Sequence, residues 1–278
     1  MAEDVASQLR SNKKYAGIAV VVILIVLAAF VLMQTGIEVG VPTEEEYTGV
    51  ENVTLTTRDG WEIAGTHYEG SEKGVVLLHM LNQREGRFVW GDFPEKLQDK
   101  GYSVMTIDLR GNAQSQSKVN SSETFYWRDT FESDFGGDES RVTGFEKMRY
   151  DVEAAVDYLE ERSNITRLGI VGAEIGANVG AHYTSIGSSD TLILLSPGLG
   201  NLFWKGVPVI GPVQNYENPV LFIASNDTEY SYQSTDLLYG DSPSETKEFI
   251  RLKDSGRGTR MLNETLEQEM IAWLDDNL

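Results

Sequence analysis

The segment most capable of chemistry is residues 167–183, RLGIVGAEIGANVGAHY, which predicts a buried strand, a tight turn and a helix. The turn has Glu174 at its centre, between Gly172 and Gly176. Ligand sites in parallel sheets lie at the carboxyl ends of the strands, which is where this turn falls. A carboxylate there could act as a nucleophile and form an ester intermediate. Hydrolysis of that ester would require a histidine to activate water.

The chain contains three histidines, and none is placed to serve Glu174. His182 lies eight residues along the same predicted helix, roughly 12 Å away, which is too far for a hydrogen bond. His67 and His79 fall on early strands and are predicted to be structural, and their scattering argues against a metal site.

Composition limits the partners and the reactions. The 278 residues carry a formal net charge of −20, which disfavours nucleic acid and anionic surfaces as partners. Because cysteine is absent, disulfides and thiolate chemistry are excluded. We expect an acidic, solvated surface, no cofactor and no metal.

Residues 15–33, YAGIAVVVILIVLAAFVLM, form a run of 19 positions without a charge. At about 1.5 Å per residue this run spans roughly 28 Å, close to the core of a bilayer. Arg10, Lys13 and Lys14 precede it, whereas no Lys or Arg follows before Arg58, so the positive-inside rule predicts a cytoplasmic N-terminus. An uncleaved anchor is favoured over a signal peptide, because the run is long and no clear cleavage site follows it.

The predicted organisation is a cytoplasmic segment 1–14, a transmembrane helix 15–34, an acidic stalk 35–50 and an extracellular domain 51–278 at the cell membrane. Five N-x-S/T sequons in the domain agree with that location and are candidates for glycosylation. They begin at Asn52, Asn120, Asn164, Asn226 and Asn263.

The domain alternates between strand and helix patterns after an opening hairpin at 51–68, which turns at Asp59-Gly60. Such an order predicts an α/β domain with a mostly parallel sheet and helices on both faces. The later predicted strands are 74–80, 102–109, 167–173, 191–197, 218–225 and 246–253, and the predicted helices are 91–101, 145–163, one from 175, and 263–278.

Six segments resemble, in this order, motifs of the α/β-hydrolase superfamily, most closely its dienelactone-hydrolase-like esterases. The oxyanion-loop strand corresponds to VVLLHMLN, the D-x-R-G-H-G-x-S segment to IDLRGNAQSQS, and the nucleophile elbow, usually G-x-S-x-G, to GIVGAEIGANVG. The strand after the elbow corresponds to LLSPGL, the strand before the triad acid to PVLFIASND, and the histidine loop to SGRGTRML. The resemblance covers residues 51–278 and implies the fold more strongly than the activity.

The resemblance implies catalytic positions that this chain fills with other residue types. Glu174 stands at the nucleophile position and Arg257 at the histidine position, so the hydroxyl and the imidazole used for acyl transfer are both replaced. The acid position falls on either Asp227 or Thr228. The oxyanion-loop positions are His79 and Met80.

The elbow and the histidine loop converge in this superfamily, so we predict an ion pair between Glu174 and Arg257, with Asp227 as a further candidate member. Nearby opposite charges favour both ionised forms. If the pair is buried, removal of either partner should cost about 3 kcal/mol. The alternative is that Glu174 faces water and Arg257 points outward.

Two further segments leave alternatives open. Residues 128–140, RDTFESDFGGDES, offer Asp129, Asp134 and Asp138 as calcium ligands, but their spacing departs from D-x-[DN]-x-[DN]-G, so a solvated loop is predicted. Residues 201–209, NLFWKGVPV, are either core or pocket lining, or an exposed docking patch.

These observations favour a membrane-anchored, non-catalytic α/β-hydrolase-like domain that acts in binding or as an accessory subunit of a membrane assembly. Residues 15–33 would hold it in the membrane beside a protein partner. Two alternatives are an active carboxylic ester hydrolase with a rebuilt site and a ligand-binding domain that reuses the former substrate pocket.

Overall fold

The computed structural model describes residues 49–81, 84–120, 143–199 and 207–278, which belong to one compact unit, Tyr47–Leu278. The predicted transmembrane helix and nearly all of the stalk lie outside the described residues, as do the acidic segment 128–140 and most of 201–209. Within the described ranges, no helix is both long and apolar enough to cross a membrane.

One mixed sheet of eight strands forms the centre of the domain. In chain order its strands are β1 Val50–Thr56, β2 Glu62–Tyr68, β3 Lys73–Leu78, β4 Ser103–Ile107, β5 Arg167–Ala173, β6 Thr191–Leu195, β7 Val220–Ser225 and β8 Lys247–Leu252. They lie in the order β1-β2-β4-β3-β5-β6-β7-β8. Strands β1 and β2 form the predicted hairpin, β2 is antiparallel to β4, and all other neighbours are parallel. The predicted mostly parallel sheet is confirmed.

The central strands are buried on both faces, which explains their continuous apolar runs. Along β3, Val76 and Leu78 belong to one hydrophobic cluster, whereas Val75 and Leu77 belong to a second cluster. All four side chains are fully buried. Because successive strand residues point to opposite faces, one apolar run supplies both cores.

Helices cover both faces of this sheet. They are α1 Phe93–Asp99, α2 Thr143–Glu146, α3 Arg149–Ser163, α4 Ile175–Tyr183, α5 Ile210–Gln214, α6 Glu229–Asp241 and α7 Glu264–Asn277, with 3₁₀ turns at Gly86–Trp90 and Gly258–Met261. Apolar residues of α3 and α4 belong to the first cluster, and those of α1 and α7 belong to the second. The prediction of helices on both faces is therefore confirmed.

Helix α6 was missed from the sequence because its buried face is polar. Ser231, Ser234 and Thr235 are buried together with Leu238, so the apolar spacing typical of a surface helix is absent. The hydroxyl of Thr235 donates to the carbonyl of Ser231 (2.7 Å), which satisfies it within the helix. Tertiary contacts, which residue spacing does not reveal, stabilise this helix.

Helix α4 packs against β3 at a distance that only glycine allows. A Cβ atom on Gly176 would lie 2.2 Å from the carbonyl oxygen of Leu78 and 2.8 Å from that of His79. A Cβ atom on Gly172 would lie 2.3 Å from the carbonyl oxygen of Gly176. The two glycines therefore determine how tightly the chain turns around Glu174.

Substitution of Gly176 by alanine should destabilise the domain by about 2–3 kcal/mol, because backbone atoms of β3 cannot move aside without disturbing the sheet. Gly211→Ala is the matched control, since a Cβ atom on this helical glycine meets nothing within 4 Å. It should leave the stability unchanged or slightly raised. Urea unfolding followed by circular dichroism measures both variants, and equal effects would contradict this account of the packing.

Candidate functional site

The turn at Glu174 joins β5 to α4 through a strained backbone. Glu174 has φ of 51° and ψ of −111°, outside the regions that non-glycine residues prefer. Its N–H donates to the carbonyl of Leu195 (2.8 Å), and its own carbonyl accepts from the N–H of Asn178 (3.2 Å). Strain of this kind costs of order 1–3 kcal/mol and must be imposed by the surrounding structure. Strand β6 and helix α4 impose it here.

The structure brings Glu174 and Arg257 together. Nε of Arg257 lies 2.8 Å from Oε1 of Glu174, with the Glu174 side chain 11% exposed and the Arg257 side chain 51% exposed. The N–H of Arg257 is not directed at Oε1, which is buried and accepts no hydrogen bond in the described part of the chain. The contact is a close charge pair without a hydrogen bond.

Burial dominates the electrostatics of Glu174. Loss of hydration raises the pKa of its carboxyl, and the positive charges of Arg257 and Arg260 oppose that rise without reversing it. The pair therefore differs from the fully buried pair considered from the sequence, because the guanidinium reaches water and only the carboxylate is desolvated. A half-exposed cation is screened and compensates a buried carboxylate incompletely.

Asp227 holds the late loop rather than joining the charge pair. Its carboxylate accepts from the N–H of Gly256 (3.0 Å) and from the hydroxyl of Ser225. These bonds, the one from Ser225 above all, hold the pKa of Asp227 below its usual value. The other candidate for the acid position, Thr228, precedes α6 as its N-cap and makes no capping bond with its side chain. Among the described residues, Arg257 is within ion-pair distance of Glu174 and not of Asp227.

The late loop packs directly on the elbow and on Met80, one of the predicted oxyanion-loop residues. A Cβ atom on Gly258 would lie 3.0 Å from Sδ of Met80 and 3.2 Å from Cγ of Glu174. The hydroxyl of Thr259 donates to Sδ of Met80 (3.4 Å), and the N–H of Gly258 donates to the hydroxyl of Ser196 (3.1 Å). Protein atoms therefore occupy the space between the elbow and this loop.

His79, the other predicted oxyanion-loop residue, is a neutral structural histidine. Its Nδ1–H donates to the carbonyl of Met80 (2.6 Å), and its Nε2 accepts the N–H of Leu109 (3.0 Å). Complete burial lowers its pKa. Nε2 connects the end of β3 to the end of β4, and Nδ1 bonds the adjacent Met80, so neither nitrogen is free for proton transfer at Glu174.

The other two histidines make their contacts with helix α3 rather than with the elbow. Nε2 of His182 accepts from Nη1 of Arg149 (3.1 Å), and burial lowers its pKa to about 4. Nε2 of His67 lies 3.1 Å from the hydroxyl of Ser163, the last residue of α3. Neither imidazole is bonded to Glu174.

A buried charge cluster beneath the IDLRGNAQSQS segment was not recognised from the sequence. The side chain of Arg110 is 1% exposed and pairs with both Asp151 (2.7 Å) and Asp59 (2.8 Å). Desolvation raises the pKa of Asp151 in spite of the arginine. The two carboxylates lie 41 and 51 residues from Arg110 along the chain, so the local motif gave the arginine but not its partners.

The remaining site predictions concern metals and glycans. Among the described residues, no three His, Cys, Asp or Glu side chains are grouped to hold a metal ion, and the calcium candidates Asp129, Asp134 and Asp138 lie outside those residues. The asparagines of all five sequons are exposed. Asn263 also caps α7, since its side chain accepts from the N–H of Leu266 (3.1 Å). Glycosylation stays a prediction.

Substitution of Glu174 should reveal the cost of its burial. Because the pKa of Glu174 is raised by folding, the folded state binds that proton more tightly than the unfolded state. This difference contributes to the free energy of unfolding. The contribution is fully present below the pKa of the unfolded state, about 4.3, and is lost as the pH rises through the pKa of the folded state. Glu174→Gln should therefore approach the wild type in stability as the pH falls below about 4.3, and exceed its stability near pH 7.

The matching prediction is that Arg257→Met lowers stability near pH 7 by up to about 1 kcal/mol, because Glu174 loses its nearest cation. The same change should have less effect in the Glu174→Gln background. Urea unfolding of the wild type, the two single variants and the double variant, each near pH 4 and near pH 7, completes this double-mutant cycle. A loss of stability in Glu174→Gln near pH 7 would mean that pairing outweighs burial.

Comparison with known proteins supplies an independent view of the domain. Residues 70–205, just under half of the chain, match the family model of Serine aminopeptidase, S33. No curated protein matches the chain. An esterase of Pyrococcus furiosus has a similar structure, with a TM-score of 0.62 and 17% identity over 82% of this chain and 92% of that chain. A cold-adapted esterase from an Arctic intertidal metagenomic library gives a TM-score of 0.62 and 20% identity over 83% and 95%.

These identities are low enough that the similar structures establish the fold and leave the activity open. The family match is to the serine aminopeptidase model rather than to the dienelactone-hydrolase-like esterases that the sequence most resembled. The strand order, the strained turn between β5 and α4, and the family match agree at the level of the superfamily. The domain has the α/β-hydrolase fold.

Proposed function

We propose that this domain is a non-catalytic α/β-hydrolase that acts by binding, as an accessory or scaffold subunit of a membrane assembly. One observation carries the proposal. At the elbow, a largely buried carboxylate, Glu174, contacts the guanidinium of Arg257, where ester hydrolysis in this superfamily usually employs a hydroxyl and an imidazole.

The proposal rests on the absence of a proton acceptor beside the elbow in the described residues. Arg257 stays protonated at any working pH. His79 uses both of its ring nitrogens elsewhere, and His182 accepts from Arg149. If Glu174 attacked an ester, none of these groups would activate water to release the acylated carboxylate.

An active ester hydrolase is the second candidate, and one observation favours it. The elbow keeps its strained backbone at Glu174, and strain of this kind is concentrated at functional sites. The similar solved structures include esterases. This candidate ranks second because it needs a base, and Arg257 occupies the place from which the superfamily supplies one.

One cavity of the described part of the chain bears on a ligand-binding role, and it lies away from the elbow. A surface cavity of about 380 Å³ lies between α1 and α7, with Lys96, Lys100, Glu267 and Ile271 among its lining residues. Neither Glu174 nor Arg257 lines it. Its mixed charges offer no single class of small ligand a matched set of partners.

The membrane part of the proposal rests on the sequence alone. Residues 15–33 are apolar and long enough to span a bilayer. The basic residues that precede them, together with the lack of Lys and Arg before Arg58, favour an external α/β domain. An external domain that lacks catalysis and is fixed to the membrane fits a role in holding or presenting a partner.

The wild-type chain should hydrolyse short acyl esters with no steady-state rate above that of a bland control protein. Glu174→Ser alone should not create turnover, because Arg257 cannot accept the serine proton. The measurement is release of 4-nitrophenol over many equivalents of protein. Sustained turnover by the wild type that disappears in Glu174→Gln would establish the second candidate instead.

Protease added to intact cells should digest the α/β domain without lysis, since the charge bias around residues 15–33 predicts an external location. A cytoplasmic protein followed in the same cells is the control for membrane integrity. Complete protection in sealed cells, followed by digestion after lysis, would place the domain on the other side of the membrane.

A further inference from the structure

A second group of side chains outside the elbow has the order of a hydroxyl, an imidazole and a carboxylate. The hydroxyl of Ser163 lies 3.1 Å from Nε2 of His67. Nδ1 of His67 lies 3.3 Å from Oε1 of Glu51. These residues come from the end of α3, from β2 and from β1, so three elements that pack together assemble the group.

The hydrogen bonds define which nitrogen carries the proton. When His67 is neutral, a proton on Nδ1 is donated to Glu51, and Nε2 is left as the acceptor for the hydroxyl of Ser163. Tyr158 fixes this arrangement from a third side. Its hydroxyl donates to Oε1 of Glu51 (2.8 Å), and its ring meets the imidazole edge to face, with centroids 5.3 Å apart.

Negative charge lies close to the imidazole on two sides. Glu51 is held ionised, since the hydrogen bond from Tyr158 is the largest of the contributions that lower its pKa. Ser163 ends helix α3, so the partial negative charge of that helix terminus also lies beside His67. His67 itself is buried, whereas Ser163 is partly exposed. Ser163 is therefore the more accessible member of the pair.

We propose that Ser163 is a nucleophilic serine, with His67 as its general base and Glu51 as the group that orients the base, and that it accepts an acyl group from small activated esters. This site goes beyond the proposed function, because it shares no residue with the elbow. It acts once per chain, as a site of covalent acylation rather than of turnover.

The chemical step balances within these residues and the ester. The hydroxyl oxygen of Ser163 attacks the acyl carbon while its proton passes to Nε2 of His67. The bond from the acyl carbon to the leaving oxygen then breaks, and the proton passes from His67 to that oxygen. The products are an O-acylserine and an alcohol or phenol. Turnover is not expected, because the negative terminus of α3 destabilises the oxyanion through which a poor leaving group must pass.

The test uses the full-length chain and 4-nitrophenyl acetate. We expect at most one acetyl group per chain, located on Ser163 by peptide mass spectrometry. Ser163→Ala should abolish this adduct. His67→Gln and Glu51→Gln should slow its formation by at least about tenfold, as expected for loss of a base or of its orienting group. Circular dichroism confirms the fold of each variant, and Glu51→Gln changes a half-exposed side chain, so it tests the proposal if His67→Gln fails to fold.

Ser185 is the matched control. It follows the end of α4 as Ser163 ends α3, but its hydroxyl donates to the carbonyl of His182 (2.7 Å) rather than to an imidazole. Acetylation of Ser185 at the rate of Ser163 would overturn the proposal, as would an unmodified Ser163 or an adduct whose rate is unchanged in Glu51→Gln. Glu174→Gln should not affect the rate at which Ser163 is acetylated. An unmodified Ser163 would overturn this proposal alone, whereas sustained ester turnover that depends on Glu174 would contradict the non-catalytic elbow.

Discussion

The close approach of Gly176 to the carbonyl of Leu78 constrains the candidate site more than any side chain does. Since no Cβ atom fits between them, α4 begins directly against the end of β3. The residue before the helix must then take the positive φ seen at Glu174. The elbow thus follows from how α4 packs on the sheet, and any residue at position 174 would be held in the same strained conformation. Retention of the strain does not require retention of catalysis.

In the late loop, too, the groups that fix the backbone are distinct from the side chain that faces Glu174. Its position is fixed by backbone N–H groups, with Gly256 bonded to Asp227 and Gly258 bonded to Ser196. Neither bond involves the side chain of Arg257. A residue at position 257 can therefore change without moving the loop, and the loop still delivers its side chain to Glu174. The superfamily geometry is preserved by groups that took no part in proton transfer.

Much of the fold could be predicted because its signals are local. Continuous apolar runs gave β3 and β5 to β7, and helical spacing gave α3. Helix α6 was missed because Ser231, Ser234 and Thr235 form its inner face, so burial and hydrophobicity disagree there. The contact of Glu174 with Arg257 was predictable only through the resemblance, which supplied the convergence of two distant loops. The half exposure of the Arg257 side chain could not be predicted, because it depends on the rotamer of that side chain and on its contacts with neighbouring residues.

Two groups of side chains in this domain resemble parts of a hydrolytic site, one around Glu174 and one around Ser163. Each lacks a component that the other has. Glu174 precedes the N-terminus of α4, whose partial positive charge favours an anion such as a carboxylate or an oxyanion. Among the described residues, however, no imidazole is hydrogen-bonded to Glu174. Ser163 has both an imidazole and a carboxylate within reach, but it lies at the negative terminus of α3. A nucleophile and base without a stabilised oxyanion react only with activated reagents. At the elbow, burial outweighs the positive charge of the helix terminus, since the pKa of Glu174 is raised and its Oε1 accepts no hydrogen bond in the described part of the chain.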